Sequence, residues 1–305
     1  MVRKLLRAAL IASVAITVST PATASNSWGG YHWARITNPV SLMVNKALTK
    51  PVWDTAVGAA VSDWNSSTGG SPGVTPPLLG SIPTGTSSIL SLSQRIASGV
   101  STKQCSPIAG QILVCNDSYG QRGWLGIASI WLSGLHITQG TTKLNDSYFN
   151  LKQYNTLEWR AMVACQEIGH DFGLDHQDTT FDNVNKGTCM DYTNAPGGGY
   201  IGIVNYGPSN VYPNQHDFDE LVTIYTHLDT TTTAASFAST NFGVRLVGKA
   251  APAPLSTQSS GDSPAEWGRA IRFDAQGRPD VYEKVLGPGQ KVLTHVFWAI
   301  GEGPR

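Results

Sequence analysis

The chain has 305 residues with 21 basic and 21 acidic side chains, so its formal charge is zero. A hydrophobic fraction of 41% supplies a core and excludes wholesale disorder. A charged fraction of 14%, balanced in sign, excludes the electrostatic field that a nucleic-acid or anionic membrane partner would need.

The N-terminus predicts export. Arg3, Lys4 and Arg7 precede an apolar run from Ala8 to Val18, and Ala22-Thr23-Ala24 reads as a small-x-small cleavage site. The run falls well short of the ~20 apolar residues of a membrane-spanning helix. Residues 1–24 are therefore expected to be a signal peptide. Their removal leaves 18 basic against 21 acidic groups, a net charge near −3. The expectation is a secreted, soluble monomer. Cys105, Cys115, Cys165 and Cys189 suit an oxidising compartment and two disulfides, for which three connectivities exist. Cys105 and Cys115 flank a short loop and look like a local staple, which would leave Cys165 with Cys189.

In chain order, 28–42 mixes aromatic and β-branched residues and predicts an early strand. Val57, Ala60, Val61 and Trp64 recur at helical spacing, predicting a helix over Asp54–Asn65. Residues 66–88, rich in Gly, Pro, Ser and Thr, predict a long loop. Strands are expected at 111–115, 124–132 and 136–144. Leu157, Ala161, Ala164, Ile168 and Phe172 mark one stripe of a helix over Asn155–Phe172, with Asn155 as the N-cap and Glu158 completing a capping box. Gly173 can end it in a left-handed conformation. A further helix is expected over Asp217–His227. Residues 231–265 read as a Thr/Ala/Pro/Ser-rich linker. Residues 266–305 read as a small module of three strands, with turns at 275–277 and 287–289.

The segment carrying chemistry is Cys165 to Asp178. Gln166 and His170 are four residues apart and share a helix face. Glu167 borders that face, and a turn at Gly173 brings His176 back towards the helix end. Three ligand-type side chains and a carboxylate then surround one point. That set suits a zinc ion holding a water, with the carboxylate taking its proton. Asp178 reads equally as a partner of a ligand histidine or as a loop cap. His32, His136, His227 and His295 lie outside any ligand spacing.

This segment resembles the long metzincin zinc motif, H-E-x-x-H-x-x-G-x-x-H, at Glu167, His170, Gly173 and His176. Gln166 stands where most metzincins have the first histidine, as in some gametolysin-like members. Met190 resembles the methionine of the Met-turn, and Tyr192 the metal-side tyrosine of astacins and serralysins. The resemblance implies an α+β metzincin-like catalytic domain over 25–230, with a twisted mixed sheet and a zinc-binding helix. It implies a secreted metalloendopeptidase acting on protein or peptide substrates. Gln166, His170 and His176 would hold zinc, Glu167 would act as general base, and Tyr192 would stabilise the oxyanion. The amide oxygen of Gln166 is a weaker donor than imidazole, which leaves copper or another divalent cation open. A Cys165–Cys189 bridge would tie the zinc helix to the Met-turn. The alternative reading is an inert pseudoprotease acting as a secreted binding protein. Exposure of Trp267 and Trp298 would instead point to a glycan-binding C-terminal module.

Overall fold

The computed structural model describes residues 25–65, 88–240, 243–246 and 254–304. The signal-peptide expectation, residues 66–87 of the expected loop and residues 241–242 and 247–253 of the expected linker lie outside the described residues.

The elements run β1 (His32–Trp33), β2 (Val40–Ala47), α1 (Pro51–Trp64), β3 (Leu90–Ile96), β4 (Ile112–Asp117), β5 (Trp124–Ser133), β6 (His136–Asn145), α2 (Asp146–Phe149) and α3 (Leu157–His170). There follow β7 (Tyr200–Ile201), β8 (Val204–Asn205), α4 (Gln215–Ile224), β9 (Phe237–Thr240), β10 (Gly243–Leu246), α5 (Pro264–Trp267), β11 (Arg269–Phe273), β12 (Pro279–Gly287) and β13 (Gln290–Trp298). The class is α+β with a mixed sheet.

Nine strands share one sheet in the order β11-β12-β13-β5-β6-β4-β2-β3, with β1 paired to β6 at its start. β3, β2, β4 and β6 run parallel. β5, β13, β12 and β11 follow as an antiparallel half. β5 reads Trp-Leu-Gly-Ile-Ala-Ser-Ile-Trp-Leu and is buried at every position but its last. An unbroken apolar run fits a strand covered on both faces and both edges rather than an edge strand.

The early strand begins later than expected. Pro39 has no N–H for a ladder, so pairing starts at Val40, and only His32–Trp33 joins the sheet before it. α1 starts at Pro51, whose fixed φ suits a first helical turn. α3 is capped by Thr156, whose side chain accepts from Trp159 N, and not by Asn155. α4 begins with a full capping box between Asn214 and Asp217.

α1 and α3 pack against each other and against the sheet. Trp64 crosses between them and donates Nε1–H to the Cys165 carbonyl at 2.9 Å. Trp33 donates to the Asp171 carbonyl and Trp53 to the Asp146 carboxylate. These tryptophans bury their rings and still satisfy their one donor. A second apolar cluster, including Tyr119, Trp124, Trp267, Tyr282 and Trp298, packs around α5 and the C-terminal strands.

The C-terminal segment is not the separate module expected from its composition. β13 pairs with β5 in an almost continuous register from Gln290↔Ser133 to Phe297↔Gly126, so the meander extends the main sheet. Trp267 and Trp298 are each 1% exposed, which removes them as a glycan platform. The end of the expected linker is also tied down. Gln139 binds Leu255 and Ser256, and the buried Lys143 ammonium binds Ser259, Gly261 and Asp262. Disulfides join Cys105 to Cys115 and Cys165 to Cys189. Among the described residues, no helix is long and apolar enough to cross a membrane.

Candidate metal centre

The last turn of α3 presents Gln166, Glu167 and His170, all fully buried. Two glycines let neighbouring segments come close enough to seal them. A Cβ on Gly126 of β5 would lie 2.8 Å from Glu167 Cγ, and one on Gly169 would lie 2.6 Å from Met190 Sδ. β5 therefore rests directly on Glu167, and Met190 packs under the end of the helix. Gly173 then turns the chain at φ 95°, where its missing Cβ leaves room for the Tyr31 carbonyl.

That turn returns His176 to the helix end. His170 Nε2 and His176 Nε2 lie 3.0 Å apart. Tetrahedral zinc–nitrogen bonds of about 2.0–2.1 Å place two ligand nitrogens about 3.3 Å apart. The third imidazole is His295 from β13. Its ring centre is 4.0 Å from that of His170 and 4.5 Å from that of His176. One ligand atom from each of the three rings falls within 4.8 Å of the others.

Gln166 turns its amide nitrogen to the Cys189 carbonyl at 2.7 Å. A carbonyl only accepts, so the amide oxygen faces the other way, and it is buried without a hydrogen-bond partner. Gln166 thus ties α3 to the Met190 turn alongside the Cys165–Cys189 bridge. Glu167 Oε2 lies 3.1 Å from His295 Nδ1, and its Oε1 has no partner. Tyr192 Oη lies 2.8 Å from His295 Nε2 and 3.3 Å from Asp280 Oδ2. Asp178 accepts from Thr180 N and Asn183 Nδ2, so it caps its loop and does not orient a ligand histidine.

Burial dominates the electrostatics. It pushes His170 down to about 3 and His176 and His295 well below the ordinary histidine value. It raises Glu167 well above the carboxylate range, with Asp171 adding to the effect. All three imidazoles are therefore neutral at pH 7 and free of proton competition for a cation.

The tautomers follow from the hydrogen-bond partners. His170 Nδ1 faces the Leu174 carbonyl at 2.8 Å and must carry the proton there, leaving Nε2 as a lone pair. Arg272 Nη2, on β11, donates to His176 Nδ1 at 3.0 Å. Guanidinium cannot accept, so His176 carries its proton on Nε2 and donates it to His170. Arg272 also pairs with Asp175 and Asp280. Trp28 closes the remaining side, stacked on His170 at 4.9 Å and 5° between planes. A cleft of about 210 Å³ lies beyond Trp28, Asp175 and Arg272.

The structure thus brings together Glu167, His170, His176 and Tyr192 around His295, whereas Gln166, on the same helix turn, is tied to the Cys189 carbonyl. It adds Trp28, Arg272, Asp280 and His295. His295 is 128 residues from Glu167 and lies on the core-facing side of its strand between Leu293 and Phe297. The sequence offers for it only a titratable ring at the same period-2 spacing as Leu293 and Phe297, which does not point to a partner. Neither family models nor curated proteins give a match to this chain, so its assignment rests on this geometry.

Proposed function

We propose that the chain is a secreted, metal-dependent peptide hydrolase of metzincin-like architecture, its ion held by His170, His176 and His295. The observation that carries this reading is the convergence of three neutral imidazoles on one dry point with Glu167 hydrogen-bonded to one of them. α3 beneath the mixed sheet, and Met190 packed against Gly169, support the metzincin-like architecture. His295 supplies the third imidazole that the motif lacks at position 166. Three nitrogen donors suit zinc, and imidazole also accepts copper.

A divalent ion bound there would lower the pKa of a water and polarise a peptide carbonyl. Glu167 is the group that takes and returns the proton. Its burial raises its affinity for one, and its Oε1 has no competing partner. The Tyr192 hydroxyl is the donor for an oxyanion. Gln166 and the disulfide keep helix and Met190 turn in register. The two disulfides, and the absence of a membrane-length helix among the described residues, are compatible with secretion.

The test is cleavage of a casein-like substrate by zinc-loaded full chain, with and without chelator, beside Glu167→Gln. The reading expects chelator-sensitive cleavage that the variant loses while its metal content stays the same. Cleavage indifferent to both would refute it. The complete burial of the centre favours one other reading, an inert secreted binding protein. Stoichiometric metal with no cleavage would establish that one instead.

A further inference from the structure

A second cluster of ligand-type side chains lies away from this centre, where three distant parts of the chain meet. His32 comes from β1, His136 opens β6, and His227 and Asp229 follow α4. All three histidine Nε2 atoms surround one atom, Asp229 Oδ1: His136 at 3.1 Å, His227 at 3.4 Å and His32 at 3.6 Å. The His32 ring meets those of His136 and His227 edge to face, with centres 5.1 and 4.9 Å apart.

His32 is the informative member. It is 2% exposed, and its Nδ1 faces the Gly30 carbonyl at 2.8 Å, so the ring proton sits there. Its Nε2 is buried and faces Asp229 Oδ1 from 3.6 Å, just beyond hydrogen-bond distance. Three imidazole nitrogens therefore surround a single carboxylate oxygen, a donor set that a positive charge among them stabilises. A buried acceptor with no donor carries a cost that a cation removes. The carboxylate is itself built in, since Asp229 Oδ2 accepts the Arg35 N–H at 2.9 Å.

The distances suit a small divalent ion. Two ligand atoms on a tetrahedral zinc stand about 3.3 Å apart. The His227 and His32 separations from Asp229 Oδ1 lie close to that value, and the ligand atoms of His32, His227 and Asp229 fall within 4.8 Å of one another. Two imidazoles and a carboxylate with an open position suit zinc, and cobalt or nickel as surrogates. His227 is exposed, and a surface cleft lined by Gly30, His32, Thr226 and His227 gives an ion a way in.

We infer that His32, His227 and Asp229 form a second, zinc-class divalent metal site, with His136 hydrogen-bonded to the Asp229 carboxylate and orienting it. An ion there clamps the N-terminal segment to the segment leaving α4. It is independent of the His170 centre, and its test reads a difference that does not depend on whether that centre is loaded.

The experiment treats the full chain with chelator and dialyses it against buffered Zn²⁺. Bound metal is then counted in wild type, His227→Ala and Asp229→Asn. His227 is exposed, so its loss leaves the core intact, and circular dichroism checks both variants. The inference expects each variant to bind about one equivalent less than wild type. It also expects Zn²⁺ to raise the melting temperature of wild type more than that of His227→Ala, and Co²⁺ to give weaker tetrahedral absorption in the variant than in wild type. Equal metal counts and equal zinc-dependent melting shifts in wild type and both variants would overturn it, as would a wild type that binds no metal at all.

Discussion

Acidifying the metal-free protein should destabilise it through its buried imidazoles. Burial pushes His170 down to about 3, against an ordinary value of 6.5, with Arg272 adding to the effect and the Leu174 carbonyl opposing it. Below pH 6.5 the unfolded chain takes up a proton that the folded chain refuses. The stability tied to this group is therefore complete above pH 6.5 and is lost as the pH falls towards 3. At about 1.4 kcal/mol per pH unit, the interval amounts to on the order of 5 kcal/mol for His170 alone. That is a large share of the roughly 5–15 kcal/mol by which domains are stable. His176 and His295 shift in the same direction, while the buried Glu167 and Asp171 carboxyls, raised by burial, oppose them, so the His170 share is read as the difference between wild type and a His170 variant. Urea unfolding in the presence of chelator, at steps from about pH 8 to about pH 4, measures the slope. In His170→Asn it should fall by about 1.4 kcal/mol per pH unit. Superimposable pH profiles for wild type and variant would show that the ring is not held dry and neutral, and the description of the centre would be wrong.

Arg272→Met should tighten zinc binding at the His170 centre. It frees His176 Nδ1 to donate to Asp175 Oδ1, 3.4 Å away, and so bares Nε2; a chelator competition assay reads the change, and weaker binding would contradict the tautomers assigned here. Replacing Cys165 and Cys189 together by Ser should cost about 3.5 kcal/mol by loop-closure entropy, read as a lower denaturation midpoint; a variant as stable as wild type would count against a bridge that restrains the site. Burial pushes the Asp63 carboxyl up to about 8, so this group's contribution to stability declines as the pH rises from 4 to 8 and opposes the histidine trend, and Asp63→Asn should shift the stability slope upward by about 1.4 kcal/mol per pH unit in that window. A slope unchanged by the substitution would show that Asp63 is not buried as described.

The sequence was most informative where chemistry and local geometry coincide. Gln166, Glu167 and His170 sit on one helix turn and His176 follows one glycine turn, so spacing alone could bring them together. The strands β4 and β5 showed through their apolar runs, β6 was expected close to its observed bounds despite its polar residues, and the local Cys105–Cys115 staple showed through its short loop. Boundaries set by a single residue were harder: Pro39 delays β2, and Thr156 caps α3 in place of its neighbour Asn155. β3 was missed because Leu90–Ile96 carries polar residues at most of its exposed positions and follows a low-complexity stretch. The third imidazole was illegible for a different reason. His295 reaches the centre only because β13 pairs with β5, a contact that no periodicity within 266–305 encodes. The His32 cluster hides in the same way, since its members come from three elements far apart along the chain.

Zinc affinity of Gln166→Ala and His295→Ala, measured in a His227→Ala background so that only one centre is read, tests the central claim most directly. Three-imidazole ligation predicts that His295→Ala weakens binding by at least about 100-fold while Gln166→Ala changes it little. A chain that loses its zinc with Gln166 and keeps it without His295 would contradict the account.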